Sequence, residues 1–370
     1  ILRAERKSCG KCHTTGHTVF YALSGLGALC AIRYTRFIDF KQKGVGKLRE
    51  ERFIIKVVEM HYKQGMSQLE IGKKLNVSRT TISRTLAQAR KEGYVQIKIN
   101  YPEGAMTSTE TILEQKFNLK EAVIACVKDG DDLSDEIAFY ASDYILRTLK
   151  NHMTLALTRG VTLQKTVECL AKDVRLRFLK VDDVNVVPLM ATTNIPPTAE
   201  KSYRLAYSNY LIDEVARIIN GNGYQLLAPQ YVTSSEVKEH FLNEASVKEV
   251  LDLAKSADVA VMGIGTVNQN SAIINAKLIP VEEFERMQEK GGTGEILSHV
   301  INKDGNLIED DFEGRLISLS LEDLKKIPIR VGVAYGMEKK DAILSVLKGQ
   351  LINVLITDDN VAEYLAKVKL

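Results

Sequence analysis

Cysteine is scarce in this chain of 370 residues: five of them, an odd number, lie scattered at positions 9, 12, 30, 126 and 169. Such a set builds no disulfide framework, and a reducing, cytoplasmic setting is expected. Long apolar runs are missing too. The conspicuous one, VFYALSGLGALCAI at 19–32, has 14 residues, against about 20 for a membrane span. No clean small-x-small cleavage site follows it, and Arg33, Arg36 and Lys41 come next, so neither a membrane partner nor a working signal peptide is expected. The chain also lacks a complete Gly-x-Gly-x-x-Gly fingerprint, and His61, His152, His240 and His299 stand singly. These absences leave no obvious cofactor or metal chemistry.

One stretch points the other way. CGKCHTTGH, residues 9–17, reads as the attachment signature of a c-type haem and offers Cys9, Cys12, His13 and His17 as zinc ligands. Attachment of a c-type haem needs export, and only eight residues precede Cys9. Four ligands in nine residues leave little chain to wrap a tetrahedral zinc. The chain starts with Ile, and Met60 is its first methionine. Residues 1–47 are therefore expected to be a non-native or disordered extension, translated upstream sequence with the start near Val45 or Leu48.

Charge divides the remainder. Lys and Arg outnumber Asp and Glu by 8 to 2 in residues 1–44 and by 12 to 5 in 45–100, but trail by 30 to 40 beyond. A compact basic segment on a larger acidic body suggests that only the first part approaches a polyanion, because Lys and Arg dominate affinity for phosphates.

The basic segment has helix-turn-helix punctuation. Phe53, Ile54, Val57, Val58 and Tyr62 recur at helical spacing, and Gly65 ends that helix. Ser67, with Glu70 three residues on, makes a capping box for a second helix, Gln68–Leu75, which would bury Leu69, Ile71 and Leu75. Asn76 suits a turn that needs left-handed dihedrals, Gly72 a close helix crossing, and Ser78 the cap of a third helix that points Ile82 and Leu86 inward. Arg79, Thr80, Thr81, Ser83 and Arg84 then face outward, where a recognition helix presents guanidinium forks and hydroxyls to the major groove. Ser67, Gln68, Ser78, Arg79, Thr80, Thr81, Ser83 and Arg84 are the candidate contacts to double-stranded operator DNA. Gly93 and YVQIKI predict a closing strand, a wing.

A polar linker at 101–110 leads into a body, 111–370, in which β runs alternate with amphipathic helices. EAVIACV, MTLALT, VNVVPL, GYQLLAP, DVAVMGIG, IRVGVAYG and INVLITDD are the strand candidates, with helices at 133–150, 162–171, 203–220, 246–256, 338–348 and 359–367. This order predicts a mainly parallel sheet covered on both faces, with ligands at the carboxyl ends of the strands. Those ends carry Thr158, Arg159, Gly160 and Thr162, then Gly263 and Gly265, then Lys339. Amides, hydroxyls and a positive dipole end there suit a phosphate.

With these residues in view, the chain from 48 to 370 resembles the SorC family of sugar-binding bacterial transcription regulators. YKQGMSQLEIGKKLNVSRTTISRTLAQARKEGYVQIKI is close to the family's helix-turn-helix throughout. TRGVTL resembles its Ser-Trp-Gly-x-Thr-Leu loop, and SNYLIDEVARIINGNGYQLLAPQYV its Asn-bearing helix and following strand. GIG, GEI, GVAYGMEKKDAI and VLITDDNVA match later landmarks. The resemblance implies an all-α, winged helix-turn-helix joined to an α/β, sugar-phosphate-isomerase-like domain that does no chemistry. That domain would bind a phosphorylated sugar and work as a homodimer or homotetramer. By the same resemblance Thr158, Gly160, Thr162, Asn209, Gly265 and Lys339 line the effector site, and Arg159 and Gly263, at the same strand ends, join them as candidates from the residues themselves. This chain departs from the pattern at Arg159, where the family has Trp, at Ala191-Thr192 and Tyr335, where it has glycines, and at Asn302, where it has an acid.

Two rivals come from other classes. An isomerase or deaminase needs a general base in reach of its substrate; Glu295, Asp304 and Asp358 are the candidates, though Asp358 after a strand reads as a helix N-cap. A ligand-free DNA-bound oligomer is the other.

Overall fold

The computed structural model describes residues 30–33, 45–99, 106–126, 132–192, 208–268, 271, 274 and 279–369. The CGKCHTTGH stretch lies outside them, as do residues 101–105 of the linker. The chain divides into two compact units, 1–103 and 104–370.

In the first unit α1 (Val45–Val58) runs into a short π-helical turn, Glu59–Lys63, before α2 (Gln68–Leu75) and α3 (Arg79–Lys91). The local signals act where their chemistry places them. Ser67 Oγ accepts from the Glu70 amide at 3.3 Å and Glu70 returns a carboxylate to the Ser67 amide at 2.8 Å, so the box closes. Hydrogen bonds to its carboxyl from the Ser67 side chain and the Ser67 amide hold Glu70 below its ordinary range. Asn76 is left-handed at φ 55°. Ile54, Val57, Val58, Met60, Ile71, Ile82, Leu86, Ala89 and Val95 form a single buried cluster.

Three expectations need correction here. Leu69 is 55% exposed rather than buried, because Ile71 and Gly72 occupy the crossing side of α2. The first helix opens at Val45, inside the segment 1–47 expected to be a non-native or disordered extension. β2 (Gln96–Ile99) pairs antiparallel with β1 (Cys30–Arg33), so part of the segment 1–47 has regular structure.

The second unit is a three-layer α/β/α sandwich around a seven-stranded sheet. In chain order its strands are β3 (Glu121–Ala125), β4 (Thr154–Leu157), β5 (Asn185–Pro188), β6 (Asn222–Gly223), β7 (Val259–Gly263), β11 (Ile329–Val333) and β12 (Val354–Asp358). Their spatial order is β3-β12-β11-β7-β4-β5-β6, and every pairing is parallel. Residues of one strand alternate between two cores, as a two-faced buried sheet requires. In β7, Ala260 and Met262 join the cluster that holds Leu113, Val346 and Leu365, while Val259 and Val261 join the one that holds Ile145, Leu163 and Val215.

From β4 the chain progresses to β5 and β6 on one side, then returns to β7 and progresses to β11 and β12 on the other. The gap between β4 and β7 is therefore the topological switch point, where ligands of open parallel sheets sit. An antiparallel sheet of β8 (Gly265–Thr266), β9 (Gly292–Ile296) and β10 (His299–Asn302) follows β7 directly. The sequence reading did not foresee it. Of GYQLLAP only Gly223 is in a strand; beyond it the segment is irregular, touching Thr192 through Pro229.

The linker reading of 101–110 also ends early, since a helix runs Thr107–Phe117. Its Glu110 and Glu114 carboxylates accept from the Ile124 and Ala122 amides at 3.0 and 3.1 Å, satisfying the outward edge of β3. Burial, followed by the charges of Glu114 and Glu121, lifts the Glu110 carboxyl above its usual range against the Ile124 hydrogen bond. A carboxyl with a raised folded pKa holds protons that the unfolded chain releases, so its contribution weakens the fold as pH rises through the folded value. Glu110→Gln keeps an acceptor and loses the charge. Thermal melts from pH 4.5 to 7 should show a small gain for the variant, about 1–2 °C, confined to the upper end of that range; a loss at pH 7 would defeat this account.

Candidate functional site

Two surfaces collect the candidate residues. On the first unit, Ser78 caps α3, its Oγ accepting from the Thr81 amide at 3.1 Å and lying 2.7 and 2.8 Å from the Thr80 and Thr81 hydroxyls. Ser67 and Ser78 are thus engaged in shaping helix starts. Arg79, Thr80, Thr81, Ser83 and Arg84 are all exposed, and Gln68 is half-buried. The free turn of α3 therefore offers two guanidinium groups and three hydroxyls to solvent. Lys73 and Lys74, also exposed, escaped the residue-level reading. Their signal was the local charge balance, and they suit phosphate contacts.

The second surface lies at the carboxyl ends of β4, β7 and β11. Thr158 is buried and ties two of these ends together, its hydroxyl accepting from the Gly263 amide at 3.3 Å and its amide donating to the Val261 carbonyl at 3.2 Å. Gly160 follows at φ 137°, a dihedral that disfavours any side chain, and opens α6 (Val161–Leu170). No side chain caps this helix, so its first amides point outward without an intrahelical partner. Thr162 lies in its first turn, half-buried.

Gly265 is where a ligand-sized approach has been traded for a carboxylate: a Cβ there would meet Glu295 Oε2 at 2.2 Å. Glu295 Oε1 accepts from the Ser298 amide at 2.8 Å, across the left-handed turn Leu297-Ser298. The negative charges of Glu338 and Glu295 reach Lys339, yet burial dominates and pulls its ammonium below the ordinary lysine range. The Tyr335 ring lies 5.7 Å beneath Lys339 Nζ. Burial raises the Tyr335 hydroxyl, against a hydrogen bond with Ser134 and the charge of Lys165.

Several of these groups escaped the sequence reading. Lys165 Nζ donates to Ser134 Oγ and reaches Asp135 at 3.2 Å and Asp132 at 3.4 Å. Tyr231, raised by burial, feels Arg159 and Ser298 from the opposite direction. Buried Gln230 donates to Ser298 Oγ at 2.6 Å. Only the fold brings these separate segments together. Asn209 goes elsewhere: its Oδ1 accepts from the Leu226 amide at 3.3 Å and its Nδ2 lies 3.5 Å from the Leu226 carbonyl, so it braces the segment after β6. Among the described residues no group of three or more His, Cys, Asp or Glu side chains is placed to hold a metal ion, and no helix is long and apolar enough to cross a membrane.

Both units of the chain match known proteins. Residues 102–367 match the family model of a sugar-binding domain, and residues 56–92 match that of sigma-70 region 4. The transcriptional regulator LsrR of Enterobacter sp. (strain 638) is 31% identical over 85% of this chain and 93% of its own. The full-length sorbitol operon regulator SorC from Klebsiella pneumoniae has a crystal structure that superposes with a TM-score of 0.63 at 27% identity, over 86% of this chain and 99% of that one. A DeoR family transcriptional regulator from Listeria monocytogenes gives 0.62 at 26%, over 71% and 100%. The chain belongs to the SorC family: it is a DNA-binding transcriptional regulator that carries a sugar-binding domain behind its helix-turn-helix.

Proposed function

We propose that the effector is a phosphorylated sugar seated at the switch point, its phosphate on the uncapped start of α6 with Lys339 as counter-charge, and that it changes how tightly the helix-turn-helix holds the operator of a carbohydrate operon. The observation that carries this reading is the set of loops at the carboxyl ends of the neighbouring strands β4, β7 and β11, with Gly160 and the open α6 amides after β4 and half-buried Lys339 after β11. An effector that binds the free form better than the DNA-bound form weakens DNA binding by the same factor, and the reverse preference strengthens it. The protein acts in the cytoplasm as a homodimer or homotetramer, on half-sites separated by whole helical turns.

This function is non-enzymatic, and the fates of the candidate bases support that. Asp358 accepts from the Val361 and Gly336 amides. Asp304 faces Lys348 at 3.6 Å. Glu295 accepts from the Ser298 amide at 2.8 Å, and the singly placed His299 is buried between Glu313 at 2.9 Å and the Leu319 carbonyl at 2.8 Å. A panel of sugar phosphates, scored for thermal stabilisation, operator release and turnover, tests the reading; turnover of any member would overturn it. Binding has a pH signature as well. A phosphate prefers the protonated ammonium, and burial lowers the Lys339 pKa, so affinity should fall with rising pH earlier than an ordinary lysine would dictate. Calorimetry from pH 7 to 10 on wild type and Lys339→Arg separates the two, the arginine variant showing no such fall.

A further inference from the structure

We propose that Asp358 and Lys116 are positioning residues that couple the turn carrying Lys339 to the seating of the helix Thr107–Phe117. That helix is the first long element of the body. The coupling deepens the effector reading, since it gives the occupied turn a route toward the linker.

The chain of contacts is continuous. Asp358 is 1% exposed and serves two elements at once: Oδ2 accepts from the Gly336 amide at 2.7 Å and Oδ1 from the Val361 amide at 3.1 Å. One carboxylate therefore fixes both the turn Gly336–Lys339 and the start of the helix Asp359–Lys367. The other end of that helix is closed by a distant side chain. Lys116 Nζ donates to the carbonyls of Leu365 at 2.8 Å, Ala366 at 3.0 Å and Val368. These are the carbonyls that a helix end leaves unsatisfied, at the end where a cation is favoured.

The two helices also share a core through Leu113, Phe117, Val361, Ala362 and Leu365. A side tie reinforces the arrangement, because the Tyr364 hydroxyl donates to Asp341 at 3.0 Å on the helix that follows the turn. Both ends of Asp359–Lys367 are thus made by other elements. A shift of its start cannot be absorbed within nine hydrogen-bonded residues, and it moves the carbonyls that hold Lys116.

Coupling is reciprocal, and this separates a relay from a local brace. Amide hydrogen exchange of the full-length protein, without ligand, is measured for wild type, Asp358→Asn, Lys116→Met and Lys116→Arg. Asparagine keeps one acceptor oxygen and cannot serve both amides, and methionine keeps the stem without the donor. Both are expected to speed exchange at least about tenfold in 110–117 and also at Gly336 and Lys339, with β4 and β7 unchanged. The arginine variant should restore wild-type rates. If Lys116→Met loosens only 107–117 and 365–368, or if exchange rises uniformly through β4 and β7, the coupling is overturned. The experiment contains no sugar phosphate, so failure of the effector reading shows only in the ligand panel.

Discussion

Gly72→Val should abolish measurable operator binding by the full-length protein while the body stays folded. The glycine is needed for space. A Cβ at position 72 would lie 2.8 Å from the Val77 carbonyl oxygen and 3.6 Å from the Arg79 amide nitrogen, and both are backbone atoms that cannot rotate aside. Relief requires α3 to move away from α2, and α3 carries Arg79, Thr80, Thr81, Ser83 and Arg84. Overpacking costs about 1–3 kcal/mol, a large share for a unit whose core holds nine buried residues among those described. Misplacing the arginines adds the loss of base contacts worth about 1–3 kcal/mol each. Together these predict a fall in affinity of at least about a hundredfold. Fluorescence anisotropy with a duplex selected from a random pool measures it, alongside thermal melting that follows each unit. Affinity within about threefold of wild type would refute the crossing argument.

The helix-turn-helix was legible in the sequence because its signals are local. Ser67 with Glu70, Asn76 and Ser78 each act within four residues of themselves, so spacing alone reveals them. Leu69 misled because the face of an eight-residue helix is poorly defined by three apolar positions, and the tertiary crossing decided which one faced the core. In the body, the strands flanked by helices were visible as apolar runs. The β9 and β10 hairpin was not: GTGEI and HVIN carry glycine and polar residues, and the pairing depends on a left-handed Leu297-Ser298 turn that has no glycine.

The candidate site divides in the same way. Thr158, Gly160, Gly263, Gly265 and Lys339 stood out as candidates because each lies at or just beyond the end of a strand, in a loop that resembles the family's. What the sequence did not disclose was how their valences are used. Thr158 fastens β4 to β7, Gly265 makes room for Glu295, and Asn209 braces Leu226. Charge neighbours such as Lys165 with Asp132 and Asp135, or Arg159 with Tyr231, come from segments about 30 to 70 residues apart, and no periodicity encodes contacts of that range.

Lys339→Met provides the sharpest test of that site. Burial opposes the ammonium of Lys339 in the free protein, and Glu338 and Glu295 offset it only in part. Removing the charge therefore relieves a penalty, while the methionine stem still packs against Tyr335. Stability should hold or rise slightly, and operator affinity without effector should be unchanged. Effector binding is expected to respond differently. A charge-assisted hydrogen bond to a phosphate is worth about 1.5–3 kcal/mol, so affinity for the stabilising sugar phosphate should drop about 10–150-fold, and its effect on DNA binding should disappear at concentrations that suffice for wild type. Titration calorimetry and anisotropy measure the two quantities on one preparation. Wild-type affinity in the variant would remove Lys339 from the site, and a collapse in melting temperature would show its role to be structural. Retained stability with lost binding is the outcome that follows from a lysine held after β11, against its own solvation preference, for an anion.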